Sequence, residues 1–412
     1  MICLNKYIYN YFLFLFSIIP ITIILGSAVS LINILLIDFS FIILLICNKN
    51  YYFLKNKTIV YLFVLYIYLF FNSFISIDFS QSVLRNLGFL RAIILFVAFN
   101  YFYYQKSFFK KMFKSWLIVL LIVIFDVFVE FIYGKNILGY DISSYGNPKR
   151  IVSFFKDEPI VGGFLNAFFL ILVGFLLNQK KKYKFYVLFI IILFFISILV
   201  TTERTAGIKA LIGMSIFFLL YKEINLGKKA LSFILIFLIA LTFVLSFHNI
   251  KHRYTVQFNQ KNIYFDLYKS GLQVFKNNKI FGVGSKNYRV ATCNQNKTFS
   301  FSSQNDSKYI CNTHPHQIYI EFLSEHGIIG TLVIFLIFYK LIFSKIKKTI
   351  SENNYLKIGT LIYLILIFLP IIPSGAFFGS FSLTLFAINL SIFYASDEKM
   401  NVFKKINNSK KV

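Results

Sequence analysis

The sequence predicts an all-α polytopic membrane protein with about 12 transmembrane helices and a large, mainly helical external loop between helices 9 and 10. Three observations carry that prediction. Of 412 residues, 58% are apolar and only 14% are charged, with a mean hydropathy of +0.71. The chain spends 54 residues on Phe, which a water-soluble domain with so few ionisable groups could not keep dissolved. Long apolar runs also recur along the chain, separated by short segments rich in Lys. The net charge of +27 comes from 43 basic and 16 acidic residues. A nucleic-acid-binding protein would carry such a charge on a polar surface, and the soluble and disordered classes are excluded with it.

A bilayer core of roughly 30 Å needs about 20 apolar residues as a helix. The runs that meet or approach this are 7–26, 27–47, 58–77, 86–104, 116–133, 159–177, 185–200, 206–221, 230–247, 328–343, 356–373 and 376–395. The first could be a signal peptide, since Lys6 precedes it and Gly26, Ser27 and Ala28 follow it. Its length and its continuity with the second run favour an uncleaved helix.

Basic residues in short loops are retained on the cytoplasmic side. With the N-terminus inside, the cytoplasmic segments collect Lys6, Lys49, Lys55, Lys57, Lys106, Lys110, Lys111, Lys114, Lys180 to Lys182 and Lys184. They continue with Lys222, Lys228, Lys229, Lys340, Lys345, Lys347, Lys348, Lys357 and the tail lysines from Lys399 to Lys411. The intervening short loops are poor in Lys, so both termini are expected in the cytoplasm. Outside lie 134–158 and the polar stretch 248–327, too long to be a structureless connector. The expected units are therefore 1–247 with helices 1 to 9, 248–327 as an external loop domain carrying the active site, 328–395 with helices 10 to 12, and 396–412 as a basic tail. No internal repeat is evident, which counts against a transporter built on inverted repeats.

The six Arg (Arg85, Arg91, Arg150, Arg204, Arg253 and Arg289) all fall outside or in the outer part of a helix, whereas the cytoplasmic clusters are Lys alone. A point charge suffices to face anionic lipid, while the planar guanidinium fork suits phosphate oxygens. Arg91 lies about 9 Å and Asp126 about 12 Å below the outer ends of their helices, which predicts a buried structural ion pair. Asp126 and Glu130 share a helix face. Arg204 sits in the short turn Thr201-Thr202-Glu203-Arg204-Thr205, at headgroup level, either as an interfacial anchor paired with Glu203 or as a contact for a lipid-linked phosphate. Asp38, near mid-membrane, is the residue that a twelve-helix transporter would use.

Stretch 248–327 holds all five His and the two external cysteines, Cys293 and Cys311. An oxidising compartment would let these cysteines pair, closing a loop whose restriction is worth roughly 3 kcal/mol. Cys3 and Cys47, at cytoplasmic helix ends, are expected as reduced thiols. No familiar metal-ligand spacing is present, so no metal and no cofactor is expected. Pro315 favours the first turn of a helix, which would place His314 and His316 at a helix N-terminus. There the macrodipole disfavours the imidazolium and leaves a neutral imidazole, as a general base requires.

Here the sequence resembles the O-antigen ligase and O-antigen polymerase superfamily, which handles glycans on polyprenyl diphosphate. The family's His-x-His-Asn-x-x-Leu…Glu-x-Gly-x-x-Gly pattern is similar to His314-Pro315-His316-Gln317…Glu325-His326-Gly327-Ile328-Ile329-Gly330. Gly282-Val283-Gly284…Arg289, followed by Cys293, is similar to the Gly-x-Gly…Phe-Arg…Cys segment of one branch. Thr202 to Gly207 resembles the external turn that carries a functional Arg, and 126–139 and 150–163 are similar to family segments too. Gln317 stands where Asn is more usual.

The resemblance implies a metal-independent inverting glycosyltransferase of a bacterial inner membrane. It would move an oligosaccharide or polysaccharide from undecaprenyl diphosphate to an acceptor hydroxyl at the periplasmic face. Carried over residue by residue, His316 would activate the hydroxyl and Arg204 would bind the diphosphate, with His314 and Glu325 in support. The second diphosphate contact lies among Arg289, Arg253, Lys261 and Arg150. The acceptor would be lipid A-core in O-antigen ligation. A polymerase joining repeat units to a growing glycan and a transferase acting on protein hydroxyls share the same donor chemistry. Apart from donor and acceptor, the partners implied are membrane lipids, with no nucleic acid.

Overall fold

The computed structural model describes residues 5–105, 107–141, 150–178, 184–247, 250–251, 263–293 and 309–404, and among these the chain is all-helical. Helix α1 (Lys6–Ser17) opens on Asn5, whose side chain accepts from the Tyr7 amide. Pro20, at the start of α2 (Ile19–Ile24), breaks the run, because it has no amide proton to continue the ladder. Helix α3 (Ser27–Cys47) buries Ile34, Ile37 and Phe41 while exposing Ile32, Phe39 and Ile43. A helix apolar on its packed and its open side alike suits lipid rather than water. Helix α4 (Lys57–Phe74) is capped by Asn56 and α5 (Phe79–Leu87) by Asp78, and α6 (Phe89–Tyr103) follows directly after Gly88. Helix α7 (Phe108–Tyr133) stops at Gly134 in the left-handed region (φ 78°), as helices ended by glycine do.

The bundle continues through α8 (Val161–Leu177), α9 (Lys184–Val200), α10 (Arg204–Leu220) and α11 (Leu226–Ser246). Next come α12 (Ile263–Asn277), α13 (Tyr288–Cys293), α14 (Ile318–Leu341), α15 (Ile346–Ser351), α16 (Tyr355–Ile367) and α17 (Ser380–Ala395). Helix α8 is buried almost all round and forms the centre of the core. It lies against α16, where a Cβ on Gly174 would strike the Tyr355 carbonyl and one on Gly359 the Leu170 carbonyl. Small residues at such a crossing let the backbones approach.

Among the described residues, six helical segments are long and apolar enough to cross a membrane by length and composition: Ser27–Cys47, Lys57–Phe74, Phe79–Tyr103, Phe108–Tyr133, Leu226–Ser246 and Ile318–Ser351. Shorter apolar helices occupy Val161–Leu177, Tyr186–Val200, Tyr355–Ile367 and Ser380–Ala395.

Four expectations are revised. The helix expected to start at Pro315 starts at Ile318 instead. His316 adopts a left-handed backbone (φ 57°), and the Gln317 side chain caps the helix by accepting from the Ile320 amide at 2.8 Å. The external helix and the tenth apolar run are also one element, α14, kinked at Gly327 (φ 63°, ψ −168°). Arg91 and Asp126 form no ion pair. Arg91 donates to the Ser380 hydroxyl at 3.2 Å and lies within electrostatic reach of Asp38, because α6 packs on α17 and α3. Lys357, expected as a topology signal, is instead buried between Glu352 (2.6 Å) and Asp397.

Candidate functional site

Two acidic residues on α7 build the first wall. The Glu130 carboxylate accepts from the Ser153 amide at 2.6 Å and the Val152 amide at 3.1 Å. Asp126 accepts from the Ser153 hydroxyl at 2.6 Å and the Ile137 amide at 2.8 Å. Both carboxylates are buried, so their i, i+4 spacing serves a loop: they hold 150–153 down on the end of α7. Charged acceptors make this clamp stronger than neutral ones would. Arg150, at the start of the clamped segment, donates to the Pro159 carbonyl at 3.1 Å.

The turn between α9 and α10 forms the second wall. Thr202 takes a left-handed backbone (φ 59°), which reverses the chain within three residues. Glu203 then reaches across to the start of α8, where its two oxygens accept from the Gly162 and Gly163 amides at 2.6 and 3.2 Å. First-turn amides have no partner within their own helix and favour a negative charge. Burial pushes the Glu203 carboxyl up to about 7, against the opposing pull of Arg150 and the two amides. Gly162 is required for this approach, since a Cβ there would collide with the Thr201 hydroxyl. The first residues of α8 and α10 are thereby tied together, with Arg204 at the head of α10.

The third wall comes from 309–317 and α12. The His314 and His316 rings lie 4.0 Å apart, and the His316 ring meets Tyr264 of α12 edge-on at 5.8 Å. His314 is fixed on both sides, by the Thr313 hydroxyl at 2.9 Å and the Ser374 carbonyl at 3.2 Å. The Ser374 amide returns a hydrogen bond to the His316 carbonyl at 2.9 Å. Burial, the neighbouring His316 and more distant Arg85 push His314 down to about 3, opposed by the Ser374 carbonyl. Burial also lowers His316 below the usual imidazole value, so both rings are neutral at pH 7.

Residues from these three regions line one open cavity of about 660 Å³, within the ~300–1,000 Å³ range of ligand sites. Arg150, Arg204 and His316 all line it, as do Glu203, Lys209 and Tyr264. Its remaining surface is largely apolar, with Tyr363, Leu366, Ile367 and Leu385 from α16 and α17. Basic groups thus share the space with a neutral imidazole and an apolar lining.

Other expected site residues lie elsewhere. Arg289 is exposed on α13 and does not line the cavity. Arg253, Lys261 and Cys3 lie outside the described residues. Glu325 is fully buried and meets Arg85 at 3.8 Å. Its own carbonyl and that of Ser324 accept from the Gly284 and Val283 amides, both at 2.9 Å. The Gly-x-Gly segment is therefore clamped to α14, and Asn72 holds its other side by accepting from the Ser285 amide at 3.0 Å. Cys293 and Cys311 form a disulfide with Cα atoms 4.5 Å apart. It ties α13 to the segment leading to the paired histidines, Val274, Val283 and Tyr288 form a small satellite core, and Cys47 is a free, exposed thiol.

The sequence reading missed Glu203, Lys209 and Tyr264 as lining residues. Glu203 was visible only as a neighbour for Arg204, and Lys209 is hidden as one charge within an apolar run.

Residues 189–335 match the family model described as O-Antigen ligase, a stretch covering a little over a third of the chain. It runs from α9 into α14 and contains Arg204, the paired histidines, both bonded cysteines and Glu325. This is consistent with the O-antigen ligase superfamily. No curated protein matches the chain.

Proposed function

We propose that this chain, whose residues 189–335 carry the O-antigen ligase match, is a twelve-helix inner-membrane glycosyltransferase. It moves a glycan from undecaprenyl diphosphate to an acceptor hydroxyl at the periplasmic face, and the acceptor reaction is ligation to lipid A-core. The observation that carries this reading is that Arg204, Arg150 and His316, from three separate segments, line one cavity. Two guanidinium groups beside an apolar lining suit a diphosphate that arrives on a lipid.

In the reaction proposed, the acceptor oxygen attacks the anomeric carbon of the first sugar and forms the new glycosidic bond. The carbon–oxygen bond to the diphosphate breaks, and its electron pair leaves on the diphosphate oxygen. His316 takes the proton of the incoming hydroxyl, because its imidazole is neutral at pH 7 and faces the cavity. Arg204 and Arg150 stabilise the charge that develops on the leaving group. Attack opposite the leaving group inverts the anomeric centre. His314, fixed by Thr313 and Ser374, holds the neighbouring ring in place.

The test is glycan transfer by membranes containing His316→Ala or Arg204→Ala. Both variants should be inserted normally and lose transfer. Near-normal transfer by a well-expressed His316→Ala protein would remove the general-base role. Deletion of the protein followed by gel analysis of surface lipopolysaccharide separates the acceptor classes. Complete loss of attached glycan supports ligation, whereas a single capped repeat would assign the chain to repeat-unit polymerisation instead.

A further inference from the structure

Helices α8 and α10 both begin at the cavity and run inward from it, and Glu203 ties their first turns together. Asn166 is five residues into α8 and Lys209 five residues into α10. At 1.5 Å per residue both therefore lie about 7.5 Å in from the level of Arg204, and both line the cavity. Lys209 has no hydrogen-bond or ion-pair partner among the described residues. Asn166 is 3% exposed, and its side-chain carbonyl oxygen is buried without a partner. A buried ammonium is costly in an apolar setting unless an anionic ligand completes it, whereas the Asn166 oxygen is an acceptor and calls for a donor such as that ammonium. Around them the lining is Tyr363, Leu366 and Leu385.

Charge points the same way. Among the described residues, the cavity lining holds three basic side chains, Arg150, Arg204 and Lys209, against the single carboxyl group of Glu203. With Glu203 ionised, the excess of basic over acidic groups is two, the charge needed to balance a diphosphate esterified at both ends. Side chains on a helix tilt toward its N-terminus, and a Lys stem extends along apolar surface to deliver its head. Lys209 is thus directed back toward the Arg204 level, from the lipid side of it.

We propose that Lys209 forms an inner subsite for the lipid-side phosphate of the donor, leaving Arg204 and Arg150 to the sugar-side phosphate. This rests on the donor class proposed above. Lys209 is a binding residue here, and its ammonium contacts a non-bridging oxygen of that phosphate.

The test is affinity of the full-length protein in nanodiscs for farnesyl diphosphate and farnesyl monophosphate. The single phosphate of the monophosphate occupies the inner subsite, so Lys209→Met should weaken both probes by about tenfold or more, as expected for loss of a charged hydrogen bond. Arg204→Ala should weaken the diphosphate alone, and Lys209→Arg should stay within about threefold of wild type on both. Should Lys209→Met elute as aggregate, Lys209→Gln is the replacement and should weaken both probes in the same sense. Wild-type affinity for both probes in a folded Lys209→Met protein overturns the inner subsite, and so does a loss confined to the diphosphate. Absence of any binding by folded wild-type protein instead overturns the donor class itself.

Discussion

The His314 and His316 rings stand 4.0 Å apart, so a proton on one ring opposes a proton on the other. His314 is held by burial, by His316 and by Arg85 down at about 3, and His316 is lowered by burial. The working ring therefore takes up its proton at a lower pH than the ordinary imidazole value near 6.5. Transfer measured against pH should have an acid-limb midpoint below 6.5. An unperturbed imidazole would leave only about a quarter of the base active at pH 6, so activity at pH 6 should exceed that fraction. The sign for stability follows from the same shifts. Below about pH 6.5 the unfolded chain takes up protons that the folded chain refuses. This part of the stability is present above 6.5 and is lost progressively on acidification. An acid-limb midpoint at or above 6.5 would contradict the burial of these rings.

Glu130 and Arg150 should act as one unit, although they make no contact with each other in the contacts described. Glu130 accepts from the Val152 and Ser153 amides and so holds the segment that begins with Arg150. Removing the carboxylate strands two buried donors, at about 1–3 kcal/mol each, and frees the segment. Glu130→Ala and Arg150→Ala should each reduce transfer about tenfold or more, and the double variant should fall little below the worse single one. Fully additive losses would show that Glu130 does not act through Arg150.

The broad architecture was legible because it rests on composition and on periodic features that survive without knowledge of neighbours. Apolar runs mark helices wherever they pack, and the Arg204 turn and the paired histidines were readable because their residue types are unusual at such positions. What escaped depended on partners remote in sequence. Asp126 matched Arg91 in depth, yet depth does not tell which helix faces which, and the carboxylate met a loop instead. The start of α14 followed from Gln317 capping rather than from Pro315. Lys357 counted as a topology charge because nothing in the sequence announces that Asp397 folds back onto it. Glu203 was read beside its neighbour Arg204, whereas its carboxylate reaches 40 residues back to Gly162 and Gly163.

Gly327 shows that part of the family-like pattern is scaffold rather than chemistry. Its backbone is left-handed, and a Cβ there would collide with the Ile280 carbonyl. The adjoining Ile328 and Ile329 amides donate to the Lys279 and Ile280 carbonyls at 2.8 and 3.2 Å, so the kink and the Gly-x-Gly segment hold each other. Gly327→Ala therefore faces about 1–3 kcal/mol of backbone strain and a steric clash with backbone that has no flexible side chain to yield. Gly227 in α11 is the natural control, since nothing lies within 4 Å of a Cβ built on it and alanine favours a helix by about 1 kcal/mol. Thermal unfolding of the purified proteins in one detergent should give a clearly lower midpoint for Gly327→Ala, and a midpoint equal to or above wild type for Gly227→Ala. Equal midpoints for the two variants would mean that α14 can straighten at Gly327 without cost, and the packing of 279–284 against the kink would then not be what positions Glu325 and the helix leading back to His316.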